Sequence, residues 1–176
     1  VVCAFDMHRD SLMTNRERRE HLENRVDWLI DQPFTKDLRE MEAETFIDDV
    51  LCKTLHAAHI VVGTDFTFGY AKRGDAQMLL DYAEQYGYTV DVIEKERYLG
   101  TVISSTYIKD ALAQGDVKLA ECLLGYPYEI TGTVQHGKQL GRTLGFPTMN
   151  IEPEENKILP RFGVYACRVK IDEKWY

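Results

Sequence analysis

The first two thirds of the sequence alternate short apolar runs with amphipathic segments, and this alternation constrains the fold more than any other feature. Apolar runs of strand length lie at residues 1–5, 26–30, 59–63 and 88–93. Between them, residues 41–55 place apolar side chains at helical spacing on one face, at Phe46, Ile47, Val50 and Leu51. Alternation of this kind predicts an α/β fold, in which helices cover both faces of a doubly wound parallel sheet.

Several polar residues have the positions of helix N-caps. Thr14 and Glu17 have the spacing of a capping box, in which each side chain bonds the backbone N–H of the other residue. They predict a charged helix that runs to about residue 24. A helix is predicted from about Asp75 to residue 86. Two further helices are predicted, one capped by Ser104 or Ser105 and ending at about residue 113, and one capped by Asp116 and ending at residue 124.

The periodicity changes after residue 124, at the sequence L-G-Y-P. Residues 128–135 and 163–171 alternate apolar and polar side chains, which is typical of antiparallel strands. We therefore predict two domains, an α/β domain over residues 1–124 and a β domain over residues 125–176. The second segment has too few strands for a closed β-barrel, so it is expected to be part of one.

Charge and composition exclude some classes of function. The chain has 176 residues, a formal net charge of −8 and a hydrophobic content of 44%, which suits a globular protein but not a nucleic-acid-coating one. It has no apolar run of the roughly 20 residues that span a bilayer, and no signal-peptide pattern at its start. A cytoplasmic protein without membrane or nucleic-acid partners is expected. Its cysteines, all in apolar surroundings, are interpreted as buried thiols (Cys3, Cys52, Cys122 and Cys167).

Residues 137–150, with the sequence G-K-Q-L-G-R-T-L-G-F-P-T-M-N, have the composition of a phosphate-binding loop. Gly137 and Gly141 allow backbone N–H groups to approach an anion, and Lys138 and Arg142 can neutralise it. The spacing is not that of a P-loop, and a plain surface turn with solvated cations is the alternative.

The end of this loop adds oxygen ligands. Pro147 precedes a strand-like stretch in which Thr148 and Asn150 alternate and therefore share a face. A hydroxyl and an amide oxygen are hard ligands of the kind that Mg²⁺ accepts.

These residues, with I-L-P-R-F-G-V-Y-A at 158–166, resemble the riboflavin kinase module of the bacterial bifunctional riboflavin kinase/FMN adenylyltransferase (FAD synthetase) family over residues 126–169. Two upstream segments are similar to the adenylyltransferase module: V-V-G-T-D-F-T-F-G at 61–69 and I-S-S-T-Y-I-K at 103–109. The resemblance implies a Rossmann-type nucleotidyltransferase domain followed by a kinase β-barrel domain. It also implies that ATP phosphorylates riboflavin to FMN and adenylylates FMN to FAD.

The resemblance assigns roles to individual residues. ATP phosphate in the adenylyl step would be held by Ser104, Ser105, Thr106 and Lys109. The flavin side would be formed by Gly63, Asp65, Phe66, Phe68 and Gly69. In the kinase module the nucleotide would be covered by Gly137, Lys138, Gly141, Arg142 and Pro147, and Thr148 and Asn150 would bind Mg²⁺ and phosphate. Without the resemblance, Phe66 and Phe68 are better explained as core aromatics, and Ser104 to Thr106 as a helix cap.

Some family motifs are not found in this sequence. It contains no H-x-G-H, and Phe5-Asp6-Met7-His8 resembles a later F-D-P-H-P segment of the family. The catalytic base in relatives is a glutamate further downstream, and Glu173 is interpreted as a hairpin residue. We therefore expect part of a longer enzyme, with self-association left open. The alternatives are a catalytically silent flavin- or nucleotide-binding module and a nucleotidyltransferase for another substrate.

Overall fold

The computed structural model describes residues 1–6, 10–172 and 174–176. The predictions for Met7, His8 and Glu173 lie outside the described residues. Contacts divide the chain into two compact units, the first containing residues 1–6 and 22–103 and the second residues 10–21 and 104–176. The domain boundary at residue 124, which the change of periodicity indicates, stays a prediction.

Helices and strands alternate along the described chain. The α-helices are α1 (Asn15–Leu22), α2 (Lys36–Glu40), α3 (Ala43–Thr45), α4 (Ala76–Tyr86), α5 (Ser105–Gln114), α6 (Val117–Leu124) and α7 (Leu140–Thr143). A π-helix (Phe46–Thr54) continues α3, and a 3₁₀ turn spans Tyr70–Lys72. The strands are β1 (Val2–Asp6), β2 (Leu29–Pro33), β3 (His59–Gly63), β4 (Thr67–Phe68), β5 (Gly74–Asp75), β6 (Thr89–Ile93), β7 (Arg97–Tyr98), β8 (Thr101–Val102), β9 (Gly132–Gln135), β10 (Asn150–Pro153), β11 (Lys170–Ile171) and β12 (Lys174–Trp175).

The longer strands of the first unit pair in parallel. β1 pairs with β2 from Val2↔Leu29 onward, and β3 pairs with β6 from His59↔Thr89 to Gly63↔Ile93. The predicted α/β class with parallel strands is confirmed, while β2 begins three residues later than the apolar run suggested. Among the described residues no helix is long and apolar enough to cross a membrane.

The predicted caps are present. Thr14 and Glu17 exchange both bonds of a capping box, at 2.9 and 3.2 Å. Ser104 and Asp116 each accept a backbone N–H three residues on, at 3.2 and 3.0 Å, and Asp75, which was not predicted as a cap, does the same at 2.8 Å. Because these bonds satisfy N–H groups that a helix leaves unpaired, the starts of α1, α4, α5 and α6 follow directly from the sequence.

The core of the first unit packs the π-helix against α4 and the short strands. Ile47 and Leu79 are fully buried, and the rings of Phe46 and Phe68 lie 5.3 Å apart between centroids. The apolar face predicted for residues 41–55 is thus confirmed. Tyr88 is also buried in this cluster and donates its hydroxyl hydrogen to the carbonyl of Leu79 at 2.9 Å.

Strands of the second unit pair antiparallel, as the two-residue pairs β4–β5 and β7–β8 of the first unit also do. β9 and β10 pair from Gly132↔Pro153 to Gln135↔Asn150. The predicted strand at residues 128–135 is formed only in its last four residues. The predicted strand at 163–171 is wrong except at Lys170–Ile171, because alternation alone does not supply a neighbouring strand to bond to.

The prediction of buried cysteines is also wrong for part of the set. Cys3 and Cys52 are half-buried, and burial raises the pKa of both thiols. Cys122 and Cys167 are exposed. Their apolar neighbours in sequence therefore do not all face a core.

The buried phenol of Tyr88 predicts a pH dependence. Burial raises the pKa of Tyr88 to about 12 from its ordinary 10.0. The unfolded chain loses this proton at lower pH than the folded chain, so the stability is fully present below pH 10 and is lost as the pH rises toward 12. Between pH 9 and pH 12, the free energy of unfolding of Tyr88→Phe should fall by about 2 to 3 kcal/mol less than that of the unchanged protein, as measured by urea unfolding. The control is Tyr70→Phe at an exposed position, and an unchanged pH slope in Tyr88→Phe would contradict the assignment.

Candidate functional site

An open cleft of about 170 Å³ lies in the second unit, between the end of β9, the loop before α7 and the start of β10. It is lined by Val134, Gln135, His136, Gly137, Gln139, Arg142, Pro147, Thr148, Met149 and Asn150. The sequence prediction and the structure therefore agree that Gly137, Arg142, Pro147, Thr148 and Asn150 lie together.

Two glycines let this cleft form. A Cβ at Gly137 would collide with the side-chain amide of Asn150, and a Cβ at Gly141 would collide with the carbonyl of Phe146 and touch Thr148. The loop backbone therefore lies directly against the hydroxyl and the amide. Any residue larger than glycine would push Thr148 and Asn150 away from the loop.

The cleft favours an anion. Arg142 and His136 are among its lining residues, and no carboxylate is among the described ones. Lys138 lies in the loop before α7 and Gly141 lies in α7, but neither residue lines the cleft. The chain carries a net charge of −8, so its overall electrostatic field does not attract anions. Arg142 therefore has to attract an anionic ligand locally.

The donor set fits a magnesium ion only together with an anionic ligand. Thr148 and Asn150 offer neutral oxygens, and the described residues contain no group of three acidic, histidine or cysteine side chains that could hold a metal. Mg²⁺ is typically bound through carboxylates and substrate phosphates. Here phosphate oxygens would have to supply the negative charge, so the residues fit a metal–nucleotide complex.

The N-terminus of α5 presents the second set of predicted phosphate ligands. Ser104 caps the helix through its bond to the N–H of Tyr107, whereas Ser105 and Thr106 are exposed. Lys109, one turn further, donates to the carbonyl of Asp10 at 2.9 Å. Ser105 and Thr106 thus lie exposed in the first turn of α5, whose unpaired N–H groups favour an anion.

The predicted flavin loop follows β3 in the first unit. Asp65 pairs with Lys95 at 2.5 Å, and the Lys95 ammonium holds the pKa of the Asp65 carboxyl below its usual value. Gly63 lies beside this carboxylate, with a Cβ position 3.4 Å from Asp65 Oδ1. Asp65 is therefore ionised and acts as an acceptor at the carboxyl end of a parallel strand, where α/β proteins bind ligands.

The two aromatic residues of this loop differ in environment. Phe68 is buried and packs on Phe46, whereas Phe66 is half-buried and stacks on Phe68 with centroids 5.6 Å apart. Phe68 is thus a core residue against which the ring of Phe66 packs. Their predicted role at the flavin stays a prediction.

Sequence reasoning missed other polar groups at these sites. His136, Gln135 and Gln139 line the cleft, and Lys95 pairs with Asp65 from a distant position. The H-G pair at the start of the glycine loop could have indicated His136. Nothing in the sequence pattern could have paired Lys95 with Asp65, because that contact depends on the parallel β3–β6 pairing.

Comparison with known proteins covers both units. The FAD synthetase family model matches residues 1–107, and the riboflavin kinase model matches residues 124–176. A bifunctional riboflavin kinase/FMN adenylyltransferase of Listeria monocytogenes is 35% identical over 98% of this chain and 58% of its own length. The Escherichia coli K12 protein with the same description is 39% identical over 96% of this chain and 54% of its own length.

A solved structure shows the same fold. The crystal structure described as a macrolide-efflux protein from Streptococcus pneumoniae superposes with a TM-score of 0.83 at 32% identity. The match covers 94% of this chain and 53% of that one. The chain thus spans little more than half the length of the proteins that it matches.

The close approach at Gly69 yields a prediction with an internal control. Gly69 has φ +73° and its Cβ position lies 2.7 Å from the backbone of Ala43, whereas Gly87 has φ +76° and open space around it. Gly87→Ala should cost only the left-handed conformation, about 1 to 2 kcal/mol. Gly69→Ala should cost about 1 to 3 kcal/mol more, because the methyl group overpacks Ala43 and because the ψ of 174° at Gly69 belongs to a region that only glycine adopts readily. Equal unfolding free energies for the two variants would contradict this packing.

Proposed function

Because this chain belongs to the FAD synthetase family, we propose that it takes part in the synthesis of flavin nucleotides. ATP would phosphorylate riboflavin to FMN in the second unit and adenylylate FMN to FAD with residues of the adenylyltransferase motifs. The observation that carries the proposal is that the glycine loop, Arg142, Thr148 and Asn150 line one cleft. The same residues have the combination of glycines, a cation and hard oxygens that a phosphate site requires.

Phosphoryl transfer depends on positioning and on neutralising charge. In the cleft, the backbone of the glycine loop would cradle the phosphates and Arg142 would neutralise them. Thr148 and Asn150 would hold the Mg²⁺ of a metal–ATP complex. When bound, this ion supplies charge neutralisation across the phosphates. The chain's own residues orient the nucleotide toward the ribityl hydroxyl of riboflavin.

Adenylyl transfer joins the phosphate of FMN to the α-phosphorus of ATP and releases pyrophosphate. Support for this step comes from α5, whose N-terminus presents Ser105 and Thr106. Unpaired N–H groups and the positive end of the peptide dipoles favour the anions that have to be held in line. Lys109 is held by Asp10, so it adds positive charge from a fixed position.

The loop after β3 is the proposed flavin side of the adenylyl step. Phe66 offers a half-buried aromatic face, and Asp65 offers an ionised acceptor for a ring or ribitol hydrogen. Lys95 would share or release this carboxylate when a flavin binds. A cytoplasmic location, the absence of nucleic-acid and membrane partners, and self-association stay predictions.

Thr148 tests the kinase cleft. Thr148→Ala removes a hydroxyl that touches the glycine loop, and bonds to charged groups contribute about 1.5 to 3 kcal/mol. The affinity for Mg²⁺-ATP in calorimetry should fall about 10- to 100-fold, and Mg²⁺ without ATP should give no binding heat. Thr133→Ala, at an exposed position on β9 outside the cleft, should bind like the unchanged protein. If the unchanged protein binds neither Mg²⁺-ATP nor riboflavin, the proposal is wrong; binding without turnover would favour the silent module.

Ser105 and Thr106 test the adenylyl step separately. Replacing both with alanine should lower FAD formation from supplied FMN at least tenfold, because two phosphate donors are lost. FMN formation from riboflavin should be retained. Thr101→Ala, an exposed hydroxyl outside the helix, is the matched control. Equal loss of both reactions in the double variant would refute the separation of the two sites.

A further inference from the structure

The carboxylate of Glu17 is buried in the second unit and uses both oxygens. Oε2 accepts the N–H of Thr14 at 2.9 Å and the ammonium of Lys157 at 2.6 Å. Oε1 accepts the N–H of Thr131 at 2.9 Å. A capping-box glutamate ordinarily needs only the first of these bonds, so the other two require another explanation.

Lys157 is equally enclosed. Its side chain is 2% exposed, its ammonium also donates to the carbonyl of Leu12 at 2.8 Å, and it lies 4.3 Å above the centre of the Tyr128 ring. Burial lowers the pKa of Lys157, and the Glu17 carboxylate offsets part of this effect. The hydroxyl of Tyr128 donates to the carbonyl of Ile158 at 2.6 Å, which holds the ring in place.

The backbone joins the same two segments. Ser11 forms a parallel bridge with Lys157: its N–H donates to the carbonyl of Asn156 at 2.8 Å, and its carbonyl accepts the N–H of Ile158 at 3.1 Å. Residues 10–21 thus add one isolated β-bridge and the start of α1 to this unit. They belong to the part of the chain that matches FAD synthetase, whereas Lys157 belongs to the part that matches riboflavin kinase.

The bonds of Glu17 and Lys157 lie at one end of the β9–β10 pair, and the cleft lies at the other end. Glu17 holds Thr131 directly before β9, and Lys157 follows β10 by four residues. Gln135 and Asn150, at the opposite end of the same pair, line the cleft. With a rise of about 3.3 Å per residue, the held end lies ~13 Å from the cleft end. A shift at one end would be transmitted along the ladder.

We propose that residues 10–21 clamp the β9–β10 pair, and that Glu17 and Lys157 are positioning residues that keep the phosphate cleft in its binding geometry. The clamp on the strand pair does not depend on the proposed function, whereas its effect on nucleotide binding rests on the proposed function. A buried ion pair is weak evidence for stability, but breaking it leaves a buried charge without a partner. Its best explanation here is geometric: one carboxylate ties a helix start, a strand start and a lysine.

Glu17→Gln is the test variant, because it keeps the shape and removes the charge. Glu20→Gln is the matched control on the same helix, since Glu20 forms an exposed pair with Arg16 at 3.0 Å. Hydrogen exchange is measured over residues 10–21, 131–135 and 150–158, with α4 of the first unit (Ala76–Tyr86) as an internal reference. The affinity for Mg²⁺-ATP is measured at a temperature where each variant is folded.

For Glu17→Gln we expect exchange at least tenfold faster at Thr14, Thr131 and the β9–β10 amides, with the reference residues unchanged. The affinity for Mg²⁺-ATP should fall about tenfold, and Glu20→Gln should change neither quantity. If Glu17→Gln does not fold, Glu17→Gln combined with Lys157→Met removes both charges and is measured in the same way.

Unchanged hydrogen exchange in the β9–β10 pair of Glu17→Gln would overturn the clamp. If exchange is faster but the folded variant binds Mg²⁺-ATP with the affinity of the unchanged protein, the link between the clamp and the cleft is wrong. If the unchanged protein does not bind Mg²⁺-ATP, the proposed function fails while exchange still decides on the clamp.

Discussion

The second unit depends on one buried carboxylate. Glu17 completes the capping box of α1, pairs with Lys157 and holds the start of the β9 segment through Thr131. Each bond compensates part of the cost of removing the charge from water. Because the bonds reach residues far apart in sequence, they also join the two family-matched parts of the chain within one unit.

The first unit depends on close packing around aromatic rings. Phe68 lies between Phe46 and Phe66, and Gly74 provides the space that its ring occupies. Gly69 provides the same kind of space beside Ala43. The loop that follows β3 is thereby anchored in the core, so Asp65 and Phe66 project from a rigid base. Residues of the predicted flavin motif therefore serve packing, whatever their role at a ligand.

The phosphate cleft is built from backbone as much as from side chains. Gly137 and Gly141 allow the loop to lie against Asn150 and Thr148, and Arg142 supplies the charge. Under the proposed function, such a site would bind an anion without a positively charged protein surface. The proposed metal ligands, Thr148 and Asn150, would lie beside the loop proposed to cover the phosphates, which suits a metal–nucleotide complex better than a free ion.

Local features could be predicted from the sequence. Capping residues predicted the starts of three helices, apolar periodicity identified the buried face around Ile47, and the glycine-rich segment identified the cleft. Which distant groups meet depended on the tertiary fold: Lys95 meets Asp65, Lys157 meets Glu17, and residues 163–169 form no strand. The physical reason is that caps and helix faces need only neighbours along the chain. Ion pairs and strand ladders need partners whose position depends on how the remaining chain packs.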